Sequence, residues 1–99
     1  MKPGDIVRSR CGRDQNQLFF VTSVEVPGFV LMANGRGHRA EKPKKKREKH
    51  VEFVVTSAAR AADKLREGLS VTNRELRMGL RDLEDLENES SRPSTQEGQ

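Results

Sequence analysis

The chain has 99 residues, of which 34% are charged and 32% hydrophobic, and its formal net charge is +4. Leu, Ile, Val and Phe number 22 of the 99 residues, just above the roughly 20% below which a chain tends to stay disordered. We therefore expect one small domain with a small core. No apolar run exceeds five residues, which excludes a membrane-spanning helix, and no apolar segment follows Lys2, which argues against a signal peptide.

The single cysteine indicates the cellular compartment, and the distribution of charge indicates the class of binding partner. Cys11 is the only cysteine, so the chain has no internal disulfide and suits the reducing cytoplasm. Residues 1–53 contain 12 Lys and Arg against 6 Asp and Glu, a net charge of +6, whereas residues 54–99 contain 7 against 9, a net charge of −2. This asymmetry indicates that the first half meets a polyanion such as a nucleic acid. A solvated surface without a target is the alternative.

Residues 1–54 form a predicted β module. Stretches rich in β-branched and aromatic residues are separated by the turn pairs Pro27-Gly28 and Asn34-Gly35. An Asn-Gly pair is a strong hairpin signal, because both central residues of that turn need a positive φ. We predict a small barrel of five strands, at residues 5–10, 18–26, 29–33, 36–40 and 51–54.

The predicted core of the β module consists of Ile6, Phe20, Val24, Val26 and Leu31. Residues 18–21 are apolar at every position, so they lack the alternation that normally identifies the buried face of a strand. A strand whose second face is covered by a helix has this pattern.

Residues 55–87 form a predicted helical hairpin. An apolar stripe at helical spacing indicates the first helix, which Gly68 ends. Thr72 and Glu75 match a capping box, flanked by a hydrophobic staple of Val71 and Leu76, so a second helix begins here. The two stripes, which we expect to pack together or on the β module, are Val54, Ala58, Ala61, Ala62, Leu65 and Leu69, then Leu76, Gly79, Leu80 and Leu83. Residues 88–99 contain no apolar side chain, which predicts a disordered tail.

Two segments of the chain contain the basic side chains that we expect to bind RNA phosphates. The first is an extended lysine-rich loop that follows the Asn-Gly turn, in which adjacent cations can track successive phosphates. The second lies at the end of the first strand and in the loop after it, and we expect it to continue the same surface. The predicted RNA-binding residues are Arg8, Arg10, Arg13, Arg36, Arg39, Lys42, Lys44, Lys45, Lys46, Arg47, Lys49 and His50.

The aromatic residues and the reactive side chains carry weaker signals. Phe19 or Phe29 is a platform for base stacking if it is exposed, although core packing is the usual use of aromatics in a domain with a small core. No serine belongs to a recognised catalytic motif, and Cys11 with His38 and His50 lacks the spacing of a zinc site. We therefore expect no catalytic residues, no metal and no cofactor.

Several of these segments together resemble a known family. Gly4-Asp5-x-Val7, Gly12-Arg13-Asp14 and Phe19-Phe20…Val24 are similar to the KOW motif of RNA-binding ribosomal and transcription proteins. The match continues through Asn34-Gly35…Arg39…Pro43-Lys44-Lys45-Lys46…Lys49-His50-Val51. With Thr72-Asn73-x-Glu75-Leu76-Arg77, the chain resembles the bacterial KOW-domain RNA-binding proteins that are similar to eukaryotic and archaeal large-subunit ribosomal protein 14. Family members usually have a Gly-Lys pair where this chain has Asn16-Gln17; Asn tolerates the left-handed conformation, so the turn can survive.

The resemblance implies a mainly β, α+β protein: an SH3-like five-stranded barrel followed by a helical hairpin. It also implies a cytoplasmic, monomeric, non-enzymatic protein that binds ribosomal RNA, the ribosome or its precursors and acts in translation or ribosome assembly. The alternative is a protein-interaction module of the transcription or translation machinery, which would use the barrel and the helices.

Overall fold

The computed structural model describes residues 1–91. Its strands are β1 (Asp5–Ser9), β2 (Leu18–Glu25), β3 (Phe29–Ala33), β4 (Lys44–Arg47) and β5 (Val51–Thr56). A 3₁₀ turn, Glu48–His50, joins β4 to β5, and the chain continues into α1 (Arg60–Arg66) and α2 (Asn73–Ser91). The five strands form one antiparallel sheet in the order β4-β3-β2-β1-β5.

The mainly β, α+β architecture is as predicted, but backbone hydrogen bonds do not close the sheet into a barrel. β4 and β5 are its two edges. The Nζ atom of Lys46 on β4 nevertheless lies 2.9 Å from Oγ of Ser9 on β1, although β3 and β2 separate these strands in the sheet. The sheet is therefore strongly curved, and side chains rather than a strand pair connect its β4 edge to β1.

Both faces of β2 are buried, which confirms the interpretation of its uninterrupted apolar run. Phe19 and Val21 point into the concave side of the sheet, where they pack with Val7, Val30, Met32 and Val51. Leu18 and Phe20 point to the opposite side and pack under the two helices with Ile6, Ala33, Ala61, Ala62, Leu65, Leu76 and Leu80. The small core is thus divided into two layers that share β2.

Three of the five predicted core residues lie outside the core. Ile6 and Phe20 are buried, but Val24 is 39% exposed, Val26 is 89% exposed and Leu31 is half-buried. The pairing of β2 with β3 is irregular between Val21 and Ser23, and the last two residues of β2 beyond this point are exposed. The buried side chains of β3 are Val30, Met32 and Ala33.

The position of the fourth strand was predicted wrongly. Residues 36–40 belong to a long loop, and the lysine run itself forms β4. Gly35 has the expected positive φ of 75°, but Asn34 does not, so the pair does not make the two-residue turn. Instead the Asn34 side chain is buried and its Oδ1 accepts hydrogen bonds from the backbone N–H groups of Arg36 and His38, at 2.9 and 3.1 Å. The Asn side chain shapes this loop locally rather than through a hairpin.

The predicted ends of the two helices are correct at the hairpin turn. Gly68 has a φ of 76°, its N–H donates to Leu65 O, and the next N–H, of Leu69, donates to Lys64 O, which is a Schellman motif. At the start of α2, the Glu75 N–H donates to Thr72 Oγ1 at 3.1 Å and the Thr72 N–H donates to Glu75 Oε1 at 2.9 Å. The capping box is therefore confirmed.

The outer bounds of the helical part differ from the prediction. β5 continues to Thr56, whose Oγ1 donates to Asp5 Oδ1 at 3.1 Å, so Val54 belongs to the sheet. α1 begins only at Arg60, and Ala58 and Leu69 from the predicted stripe are exposed. α2 extends to Ser91, which places residues 88–91 of the predicted tail in a helix. The rest of that tail, residues 92–99, lies outside the described residues.

Candidate nucleic-acid interface

β4 divides its four basic side chains between two faces, because successive side chains of a strand alternate. Lys44 and Lys46 pair with Met32 and Val30 of β3 and point to the concave side. Lys45 and Arg47 pair with Leu31 and Phe29 and point outward. The lysine run is therefore two pairs with different surroundings and not one continuous row of cations.

The inward pair surrounds a buried carboxylate, Asp14, in the loop between β1 and β2. Asp14 is 3% exposed, and Lys46 Nζ donates to its Oδ1 at 2.7 Å while Ser9 Oγ donates to the same atom at 2.7 Å. Lys44 Nζ lies 3.1 Å from Asp14 Oδ2, and Nε2 of His38 lies 3.8 Å from it. Burial by itself raises the pKa of Asp14, but the hydrogen bonds from Lys46, Ser9 and Lys44 outweigh it and hold the pKa well below its usual range.

Lys46 is a structural residue rather than the phosphate ligand that was predicted. Only 9% of its side chain is exposed, and its ammonium group also donates to Cys11 O at 2.7 Å and to Ser9 Oγ. All three donors of the ammonium are thus used inside the protein. Lys44 is a partly exposed member of the same cluster, so both are removed from the candidate interface.

The outward pair flanks a partly exposed aromatic ring. Lys45 Nζ lies 4.7 Å from the centroid of the Phe29 ring, and Arg47 Cζ lies 5.2 Å from it, both within cation–π range. Lys45 also makes an exposed ion pair with Glu25, at 3.1 Å. Phe19, the other proposed stacking platform, is completely buried and packs against His38. We call Phe29, Lys45 and Arg47 the β4 surface.

Two of the predicted RNA ligands are paired with carboxylates of α2. Arg8 lies on the helix-covered side of the sheet and makes an ion pair with Glu87. Arg36, in the loop after β3, binds Glu84 with both terminal nitrogens, at 2.7 and 2.9 Å, and the hydrogen bond to Glu84 raises the pKa of Arg36. The acidic second half of the chain thus neutralises part of the basic first half.

The other predicted ligands fall into two sets. Arg10 and Arg39 make exposed ion pairs, with Glu52 at 3.2 Å and with Glu41 at 3.0 Å. Four side chains have no ion pair within the described part of the chain, and these are Arg13, Lys42, Lys49 and His50. The twelve predicted residues therefore differ in how much of their charge is available, while Lys46 connects β4 to the end of β1 and the loop after it.

Sequence reasoning missed a basic site on α2. Arg74, Arg77 and Arg81 occur at helical spacing and, with Arg36 and Met78, line a cavity of about 400 Å³. We call this site the arginine cleft. Three arginines separated by three and four residues would have indicated it in the sequence, because such positions share one helix face, but the neighbouring leucine stripe and capping box dominated the interpretation of this segment.

Asn16 lies near the end of the loop between β1 and β2. Asn16 has a φ of 74°, so it adopts the left-handed conformation expected of it. Its carbonyl accepts a hydrogen bond from Arg8 Nη1 at 3.1 Å, which links the loop to β1. The hydrogen bond with Arg8 therefore fixes the end of this loop against β1.

The described residues were also searched for clusters of metal-binding side chains and for membrane-spanning helices. Within residues 1–91, no three His, Cys, Asp or Glu side chains are grouped in a way that could hold a metal ion. No helix in that range combines the length and the apolar character that crossing a membrane requires.

Comparison with protein-family models gives no match, and a search of curated proteins finds no significant relative.

Proposed function

We propose that this chain is a non-enzymatic RNA-binding protein of the cytoplasm that associates with ribosomal RNA or the ribosome and acts in translation or ribosome assembly. The observation that carries the proposal is the β4 surface, where the partly exposed ring of Phe29 lies against two outward-pointing cations. An aromatic ring on which a base can stack, next to cations that bind the flanking phosphates, is the usual combination for single-stranded RNA.

The charges around the β4 surface support this proposal. Arg47 has no carboxylate partner among the described residues, and neither do Lys42 and Lys49, which precede and follow β4. Lys45 is paired only with the exposed Glu25, and an exposed pair of this kind contributes at most about 1 kcal/mol. A phosphate can therefore replace Glu25 at little cost.

The fold is compatible with the family that the sequence resembles. A five-stranded antiparallel sheet with a short helical turn before the last strand agrees with an SH3-like KOW module, and its strong curvature brings β4 near β1. The resemblance supplies ribosomal RNA as the target, whereas the β4 surface supplies only the chemistry of a single strand.

The test compares two exposed arginines that lack ion pairs within the described chain, Arg47 on the β4 surface and Arg60 on α1. Each substitution by Glu changes the net charge by the same amount. We expect Arg47→Glu to weaken binding to fragmented ribosomal RNA about fivefold or more at 0.1 M salt and to reduce the slope of log affinity against log salt by about 0.7, as for one lost phosphate contact. Arg60→Glu should have a clearly smaller effect.

Two results would contradict the proposal. Equal losses for Arg47→Glu and Arg60→Glu would mean that only net charge matters and that the β4 surface is not the binding site. In cell extract at low salt, a protein that stays at the top of a sedimentation gradient would not be associated with ribosomes. Phe29→Leu gives an independent check, because it removes the stacking ring without changing the charge and should also weaken binding.

A protein-interaction module is the second candidate, and exposed apolar side chains on α2 and in the turn before it favour it. Leu69 is 53% exposed, Met78 is 55% exposed and Leu86 is 59% exposed. Isolation of the protein from extract before and after nuclease treatment separates the two functions, because a protein partner survives the removal of RNA. Partners that are retained after nuclease treatment would favour this second candidate.

A further inference from the structure

We infer that the arginine cleft is a second RNA contact, which binds backbone phosphates of the same RNA that the β4 surface engages. The inference rests on the proposed function and assigns part of the binding to α2. The cleft combines Arg74, Arg77 and Arg81 of α2 with Arg36 of the β3–β4 loop around a cavity of about 400 Å³. Four arginine side chains from two separate elements therefore line one space.

Contacts with the protein backbone and with α2 hold the loop side of the cleft in place. Arg77 Nη1 donates to Gly35 O at 2.8 Å, and Asn73 Oδ1 accepts from the Ala40 N–H at 2.7 Å. A Cβ atom at Gly35 would lie only 2.3 Å from Asn73 O, so the loop touches the helix closely. Arg36 makes two hydrogen bonds to Glu84, which a phosphate would replace. The cleft is therefore largely formed before any ligand arrives, which lowers the entropic cost of binding.

The cleft has more positive charge than its surroundings neutralise. Glu84 is the only carboxylate that pairs with any of its four arginines among the described residues. Arg74 and Arg81 have no ion pair there, although Asp85 follows Arg81 by four residues, a spacing at which a helical pair can form. Arg74 is also in the first turn of α2, where the helix dipole disfavours a cation. An anion in the cleft would reduce the repulsion among the arginines and the unfavourable interaction of Arg74 with the helix dipole.

Phosphate fits this site better than the surface of a protein partner. Guanidinium groups bind phosphate with two parallel hydrogen bonds and remain charged at every relevant pH. Arg74 and Arg81 are seven residues apart, which is about 10 Å along a helix, long enough to face more than one phosphate of a strand. Met78 is the one apolar side chain that lines the cleft, whereas the centre of a protein interface usually has buried aromatic or aliphatic anchors.

The experiment removes the charge of the two cleft arginines that make no side-chain hydrogen bond or ion pair within residues 1–91. Arg74→Gln/Arg81→Gln is compared with Lys2→Gln/Arg60→Gln, which removes two exposed cations outside both surfaces. With fragmented ribosomal RNA as the probe, the cleft variant should bind about 25-fold more weakly at 0.1 M salt, and its salt slope should fall by about 1.4, as for two lost phosphate contacts. The control should change the affinity and the slope much less, and both variants should keep the thermal stability of the parent, because surface substitutions usually change it by less than about 0.5 kcal/mol.

The outcomes separate this inference from the proposed function. Binding of the cleft variant equal to that of the control, with Arg47→Glu still defective, would overturn the cleft and leave the RNA-binding function intact. Failure of the unmodified protein to bind the RNA would overturn both. A cleft variant that binds RNA normally but loses a nuclease-resistant protein partner would make the site a protein dock and would also overturn the inference.

Discussion

At the scale of single residues, the buried group around Asp14 is the best-defined polar feature of the molecule. Lys46 and Ser9 donate to Oδ1 of Asp14, and Lys44 approaches the other carboxylate oxygen. These contacts connect the β1–β2 loop to the edge strand β4, where backbone pairing does not close the sheet. A buried ion pair of this kind contributes little beyond hydrophobic packing, but the loss of one member leaves a buried charge without compensation.

Asp14→Asn is expected to destabilise the protein by about 3 kcal/mol near neutral pH, because the substitution leaves the Lys46 ammonium buried without its counter-charge. Chemical denaturation measures this loss as a lower free energy of unfolding. Lys45→Gln is the matched control, because Lys45 is on the same strand but its ion pair is exposed. It should change the stability by at most about 1 kcal/mol.

Acid should reduce the difference in free energy of unfolding between the parent protein and Asp14→Asn. The pKa of Asp14 is lowered in the folded state, so the unfolded state, with a pKa of about 3.9, binds the proton first. The contribution of Asp14 is therefore complete above about pH 5 and is lost progressively as the pH falls through the unfolded pKa toward 2. Free energies of unfolding measured across this window should converge for the parent and Asp14→Asn; a constant difference would contradict the assignment.

At the scale of elements, α2 is positioned by its closest approach to the sheet. Gly79 lies against the buried ring of Phe20, and a Cβ atom at this position would be 2.7 Å from Phe20 Cζ and 3.4 Å from the Cβ of Ala59. Lys64 Nζ adds a link between the helices by donating to Glu75 at 2.7 Å. The absence of a side chain at position 79 thus sets the depth at which α2 packs, and with it the position of the arginine cleft.

Gly79→Ala is expected to destabilise the fold by about 1 kcal/mol. The gain in helix propensity is about 1 kcal/mol, but overpacking against Phe20 costs about 1–3 kcal/mol. Thermal unfolding should show a decrease of about 4–8 °C. Gly37→Ala is the control, since a Cβ atom there meets nothing within 4 Å. A Gly79→Ala protein at least as stable as the parent would mean that α2 does not pack this closely.

At the scale of the whole molecule, the acidic and basic halves of the chain interact directly. Glu84 and Glu87 of α2 bind Arg36 and Arg8, two residues that the sequence had suggested as RNA ligands. The net charge of the first half therefore overstates what is available to a polyanion. α2 has opposite roles along its length, because its first turns carry the arginines of the cleft and its later turns neutralise cations of the β module.

Glu84→Gln tests whether this pairing competes with RNA. If the arginine cleft binds phosphate, release of Arg36 should strengthen binding to ribosomal RNA about fivefold at 0.1 M salt and steepen the salt slope by about 0.7, as for one added contact. Glu67→Gln on the α1 side makes the same change of charge at a residue without an ion pair in the described chain. Equal binding by these two variants would contradict a role for Arg36 in the cleft.

Features that depend on neighbouring residues were readable from the amino-acid order. The capping box of Thr72 and Glu75, the positive φ of Gly68 and of Asn16, and the two buried faces of β2 were all predicted correctly. Each follows from a local backbone preference or from a short apolar pattern. Such preferences act over a few residues, so a single segment of the sequence contains them in full.

Features that depend on distant partners were not readable in this way. The lysine run forms β4 because Asp14, 32 residues earlier than Lys46, supplies a buried counter-charge. Without knowledge of that partner, a run of lysines does not indicate which of its side chains are buried in a strand. Arg8 and Arg36 are neutralised by glutamates 79 and 48 residues away, and the arginine cleft exists only where a loop meets α2. Coulombic pairing and desolvation depend on distance in space, so the folded chain alone determines which charges remain available to a ligand.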